Sequence, residues 1–386
     1  MIGPVPSVDP IPIPAPLWLL KTLADATLFI HMLLMDLVWG GTLLTAVYCF
    51  KGKPKHFQAA RSLARTFPYV FPFVITFGVA PLLFLQVLYG PVFYTSSILV
   101  GTPFILIIPT VIAAYALMYF LSWRWERLGA WRGWISLLIF ALLGFVGFVF
   151  SNVFSLMADP GRFLQKYLAH PSGFQLNLAE PSLPPRFLHM FFAAVAVAGL
   201  WVAITGIKRL HQEPDQARWQ CRSGATWFAG ATVIEILVGI WWLLDLPSDQ
   251  VRIFMGGGGL STAAFMVGVV CALLSVVFAL VGINSVKPFK HLHMAAMFLG
   301  LTVLCMVVMR DALRDAALKP FYTLSKLAVS PQWGAIILFF LLFAGGLGVV
   351  VWLLIVAAKA RPKPEQPKLG SGKHRLPEEY RKSTVR

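Results

Sequence analysis

Nine apolar runs organise this chain, near 27–49, 67–89, 99–123, 134–157, 187–207, 224–244, 260–284, 291–309 and 334–358. Each is close to the ~20 residues a helix needs to cross ~30 Å of hydrocarbon. Backbone in lipid must satisfy its own hydrogen bonds, which helices do. With 58% of 386 residues hydrophobic and 12% charged, an ordinary soluble domain is excluded. The expected fold is an all-α integral membrane protein of nine transmembrane helices.

Lys and Arg set the orientation, because they accumulate in cytoplasmic loops during insertion. The stretches 50–66, 124–133, 208–222, 285–290 and the tail from 359 hold 23 of the 32 basic residues. The N-terminus is therefore expected outside and the C-terminus in the cytoplasm, as in a multi-pass protein of a bacterial inner membrane. The net charge of +16 reflects this asymmetry and a lipid-facing surface, with no sign of a nucleic-acid partner.

Three regions follow: a Pro-rich segment over 1–16, a membrane domain over 17–360 and a basic tail over 361–386. Residues 1–16 lack the basic start and apolar core of a cleavable signal, so the first helix is expected to act as its own signal. Cys49, Cys221, Cys271 and Cys305 form no CxxC or CxxCH motif, which argues against disulfides and covalently attached haem. The longest outer loop, 158–186, reads as an ordered cap, and 310–333 has the charge rhythm of a surface-lying helix. The GGGG at 256–259 has neither the spacing nor the Lys of a phosphate-binding loop.

Ionisable residues inside apolar segments are costly and point by default to function. His31 lies inside the outer end of the first helix, and His189 opens the fifth at the same membrane face. Imidazoles at that depth are most simply explained as ligands of one or two haems, and the chain reads as a membrane cytochrome. Met255, Met306 and Met309 are candidate thioether partners at the outer level. Asp36 and Glu235 lie deep in their segments, as a pair, as protonated groups or as part of a proton path. Gln86 and Asn152 can hydrogen-bond between helices. An inner set, His56, His211, His291 and His293, either holds a further haem or belongs to an interfacial belt with its neighbouring lysines.

Several stretches resemble subunit I of the cytochrome bd quinol oxidases. LFIHMLLMDLVWGGTLL is similar to that family's first helix, FGVAPLLFLQVLYG to its second, SNVFSLMADP to the end of its fourth and RFLHMFFAAVAVAG to the start of its fifth. RIFMGGGG resembles the Arg-x-Met-x-Gly opening of its seventh helix with one residue inserted. The similarity is collinear over about 20–358. It implies that His189 and Met255 ligate a low-spin b haem near the outer surface, and that His31 occupies the place of the oxygen-binding haem's ligand. It also implies that Asp245 and Arg252 bracket a quinol-binding loop.

The departures are as informative. Gln86 replaces a helix 2 carboxylate, the acidic residues of helix 3 are absent from 99–120, and the quinol loop shrinks to about 246–254. The family's haem-ligating glutamate of helix 8 falls near Val308 and Met309, and its Gly-Arg-Gln-Pro-Trp element is replaced by ALKPF. Oxygen reduction needs protons delivered to an open haem, and the groups that would carry them are missing. The expected function is electron transfer between the quinol pool and an extracytoplasmic partner through haem b, in either direction, without oxygen reduction. That partner is expected to be a c-type cytochrome or another periplasmic redox subunit over the outer loops, alongside further membrane subunits. A terminal quinol:oxygen oxidoreductase with unfamiliar proton carriers, and a haem-free scaffold or transporter, are the alternatives.

Overall fold

The computed structural model describes residues 11–285 and 288–359. The expected tail over 361–386 and the first ten residues of the Pro-rich segment lie outside the described residues. Among those described, nine helices are long and apolar enough to cross a membrane, as the hydropathy pattern requires.

In chain order the helices are α1 (Leu17–Lys51), α2 (Pro54–Leu99), α3 (Gly101–Ile105), α4 (Ile107–Trp123), α5 (Trp131–Met157), α6 (Phe163–Ala169), α7 (Leu183–Ile207) and α8 (Pro214–Asp245). They continue with α9 (Ser248–Arg252), α10 (Gly259–Asn284), α11 (Pro288–Leu318) and α12 (Trp333–Lys359). The short α3, α6 and α9 lie in connections. One unit runs to Ser330 and the second starts at Pro331; α12 of the second is apolar along its length and ends on Lys359.

In the first unit α1 is central, packing on α2, α5 and α7, while α7 pairs with α8 and α10 with α11. Small residues permit the closest approaches. A Cβ at Gly40 would collide with the Ala194 backbone of α7, and one at Gly224 with the Ala203 backbone. Without a hydrophobic drive between helices in lipid, such backbone proximity supplies the van der Waals contact that holds them together.

Helix ends differ from the hydropathy reading in three places. The second apolar run, expected to end at 89, continues to Leu99 as one 46-residue helix that bends at Tyr89 (φ −127°). Pro91 lacks an N–H and its ring clashes with the preceding turn, which kinks the helix without ending it. The expected loop 208–222 is largely helical, because α8 starts at Pro214 and buries Gln216 and Gln220. Gln220 donates to the Val202 carbonyl and the Thr205 hydroxyl, so a polar sequence is satisfied within the bundle.

The third difference overturns the surface-helix reading of 310–333. Its first nine residues extend α11, and Asp311 is buried. Lys21 of α1 reaches both Asp311 and Asp315 at 2.6 Å. Arg314 pairs with Asp311, and the Tyr89 hydroxyl donates to Asp315. The charge rhythm served a three-helix ion network rather than a water-facing stripe.

The cap expected over 158–186 is ordered. Its Gln175 amide donates to the Leu99 carbonyl, and its Gly173 carbonyl accepts from the Thr102 amide of α3. Asn152 holds this cap by accepting from the Asn177 amide at 2.8 Å, and Asn177 donates to Ser155 at 3.0 Å. Asn152 thus anchors a loop rather than joining two membrane helices. At the connection after α11 the Tyr322 hydroxyl donates to the Leu88 carbonyl at 2.7 Å, and burial pushes its phenol up to about 12, so it remains a neutral donor. The N-terminal segment also docks here, with Ile13 forming an isolated bridge to Val329.

Candidate redox site

His31 of α1 turns its Nδ1 to the Val74 carbonyl of α2 at 2.9 Å. A carbonyl only accepts, so Nδ1 carries the proton and Nε2 is left with its lone pair. This is the arrangement that orients a metal-binding imidazole. Gly78, one turn after Val74, makes it possible: a Cβ there would stand 2.6 Å from His31 Cε1. Helical side chains lean over the preceding turn, so glycine uncovers the carbonyl.

His189 of α7 repeats the arrangement on α8. Its Nδ1 lies 3.3 Å from the Glu235 carbonyl, and the ring rests 3.4 Å from where a Cβ of Gly239 would be. Here, however, Nε2 faces the Glu235 carboxyl at 3.6 Å, with side-chain exposures of 18% and 8% for the pair. Asp36 of α1, 2% exposed, has no hydrogen-bond partner among the described residues but lies within range of the Glu235 charge. An imidazole and a carboxyl therefore face one another between α7 and α8, and a further carboxyl is buried on α1. Burying such groups uncompensated is costly, and a proton held between His189 and Glu235 neutralises both.

Around these histidines this end of the bundle is rich in cations. Arg186, one turn before His189, lies 5.3 Å above the Trp242 ring, which also meets the His189 ring at 5.9 Å. Arg186 Nε and Trp242 Nε1 are both buried donors without an acceptor. The half-buried Arg310 of α11 stacks on Phe154 at 4.7 Å and forms no hydrogen bond among the described residues. The charges of Arg310 and Arg186 act on one another, and that of Arg310 also reaches His31. Orphaned donors and facing cations call for an anion. Sequence reading missed Arg186, Arg310, Lys21 and Asp311 because hydropathy windows placed them in loops.

Met255 sits on a π-helical turn, Ile253–Gly257, that opens α10. A π turn holds one residue more than an α turn, which matches the inserted residue noted in RIFMGGGG. Gly256 has φ +106°, and a Cβ at Gly257 would come 2.7 Å from the Arg252 carbonyl, so the glycine run is a backbone requirement. Met255 is 54% exposed. Asp245 closes α8 and Arg252 closes α9, both exposed, and they form no ion pair with each other. Met306 and Met309 are half-buried on α11.

The remaining polar residues fall elsewhere. Gln86 accepts from Tyr94 of its own helix at 3.3 Å, not across helices. His56 packs against Trp219 at 4.6 Å, His293 contacts the Phe289 carbonyl at 2.7 Å, and His211 is exposed. Among the described residues no three His, Cys, Asp or Glu side chains converge as a metal cluster.

A helical membrane bundle with buried imidazole and carboxyl groups and an ordered cap over one end is the class these features define. No family model matches the chain, and no curated protein matches it. Among solved structures it is similar to the bd oxidase from Geobacillus thermodenitrificans, with a TM-score of 0.67 and 13% identity, over 91% of this chain and 100% of that chain. The chain has a bd-oxidase-like membrane fold in strongly divergent form.

The residues fit a haem on grounds of their own chemistry. His31 offers a free Nε2 on a ring held through Nδ1 by a carbonyl, and Arg186, Arg310 and Trp242 offer unsatisfied donors, suited to carboxylate substituents. His189 fits once the Glu235 carboxyl yields its place.

Proposed function

We propose that the chain is a b-type cytochrome subunit that carries electrons between the quinol pool and an extracytoplasmic redox partner and does not reduce oxygen. The observation that carries this reading is the pairing of His31 with the Val74 carbonyl over Gly78, a ligand geometry with Nε2 unclaimed. His189, with Met255 as its second ligand, would hold a low-spin haem b, and His31 a second one. Haem b supplies one-electron transfer when bound.

The chain's own groups supply binding, orientation and proton handling. Asp245 and Arg252 would receive the quinol headgroup at the outer rim. Oxidation of the quinol yields a quinone, two electrons and two protons, and the exposed Asp245 opens to the aqueous outer face where protons leave. Arg186 and Arg310 would hold haem carboxylates and oppose escape of the group. An acceptor such as a c-type cytochrome would dock on the outer cap over 158–186, in a bacterial cytoplasmic membrane.

Loss of oxygen chemistry is supported by what replaces the carboxylates. An amide has no accessible titration near neutral pH, and the Gln86 amide oxygen is already engaged by Tyr94. The helix 8 acid position holds Val308 and Met309. The test supplies a reduced quinol to the purified chain. Reduction of an added cytochrome or dye with negligible oxygen uptake is expected. Sustained, cyanide-sensitive uptake lost on His31→Ala would establish the oxidase reading instead.

A further inference from the structure

A separate polar cavity lies at the opposite end of the bundle from the Lys21–Asp311 network. On α2, Gln58, Arg61, Ser62, Arg65 and Tyr69 recur at helical spacing along one face. With Arg209 from the turn after α7 they line an open cavity of about 510 Å³. Arg61 pairs with Glu126, yet its Nε remains a buried donor without an acceptor. The side chains of Arg65 and Arg209 form no ion pair or hydrogen bond among the described residues. Three guanidinium groups share the cavity, and the lining contains no carboxylate.

The cavity also borders lipid. Tyr69 is 77% exposed, and Phe73 and Leu83 continue an exposed apolar stripe along α2 away from the arginines. An aromatic residue with a polar tip marks the membrane–water interface. The planar donors of arginine match the paired oxygens of a phosphate, and basic pockets between membrane helices on the positively charged side accept anionic headgroups. We propose that this cavity binds the phosphodiester headgroup of an anionic phospholipid, with Arg61, Arg65 and Arg209 around the phosphate and the acyl chains along Tyr69 and Phe73.

The test uses the full chain in neutral detergent, titrated with phosphatidylglycerol or phosphatidylcholine, with bound lipid read by native mass spectrometry. Phosphatidylglycerol should be retained in preference to phosphatidylcholine. The double variant Arg65→Gln with Arg209→Gln should weaken it on the order of tenfold, while Arg65→Lys with Arg209→Lys retains most of the binding. Circular dichroism and the melting temperature without lipid check that the variants fold. Should the Gln pair not fold, Ser62→Phe fills the cavity without removing charge and should abolish retention. Equal binding by the variants, or no preference between the lipids, overturns the proposal. Inorganic phosphate alone raising the melting temperature as far as phosphatidylglycerol does would assign the cavity to free phosphate and overturn the lipid source.

Discussion

Gly78 lies directly beneath the His31 imidazole, where a Cβ would come 2.6 Å from Cε1. The contact gives the imidazole a seat on α2 and opens the Val74 carbonyl that orients it. Gly78→Ala gains up to about 1 kcal/mol of helix propensity but overpacks the site at a cost of about 1–3 kcal/mol. The expected result is near-native helicity with His31 displaced and one haem signal altered. Gly230→Ala, on α8 with nothing within 4 Å of a new Cβ, should leave the spectrum unchanged. Equal spectra for the two variants would remove His31 from the redox site.

The His189–Glu235 pair should be energetically coupled. His189→Ala leaves the buried Glu235 carboxyl without its polar partner, which costs about 1–3 kcal/mol. Adding Glu235→Leu removes the stranded polar group and should recover a large part of that loss. Denaturation of both single variants and the double variant in detergent measures the coupling. Additive effects would mean that the 3.6 Å approach stores no interaction.

Much of this architecture was legible in the chain. Long apolar runs fix the nine-helix fold, because lipid tolerates few alternatives. The seats of the histidines were not legible, since Gly78 and Gly239 matter only once α2 and α8 face α1 and α7. The ion network was hidden for a related reason. Lys21 is far in sequence from Asp311 and Asp315, and their charges read as surface residues until the helices that carry them meet.

Lys21 should therefore stabilise the union of α1 and α11. Lys21→Met strips a cation 2.6 Å from two carboxylates, and loss of a charge-assisted partner costs about 1–3 kcal/mol. A lower melting temperature is expected, largely restored by Lys21→Arg. An unchanged melting temperature would show that Arg314 alone suffices to neutralise Asp311.

Met255 tests the ligand set without disturbing the fold. It is 54% exposed on its π turn, and Met255→Leu conserves volume, so stability should hold within about 1 kcal/mol. The haem potential should fall or the iron become high-spin, because the thioether that raises the potential is gone. The same change on Met309→Leu and none on Met255→Leu would move the second ligand to α11.

The central claim is that this bd-like bundle carries haem b on His31 and His189. A reduced-minus-oxidised spectrum of the purified chain, with its extracted haem identified, tests it most directly. A b-type signal without chlorin haem d is expected, with its low-spin component lost in folded His189→Ala and the remainder lost when His31→Ala is added. A folded protein that contains no haem, or one whose spectrum survives both substitutions, would contradict the account.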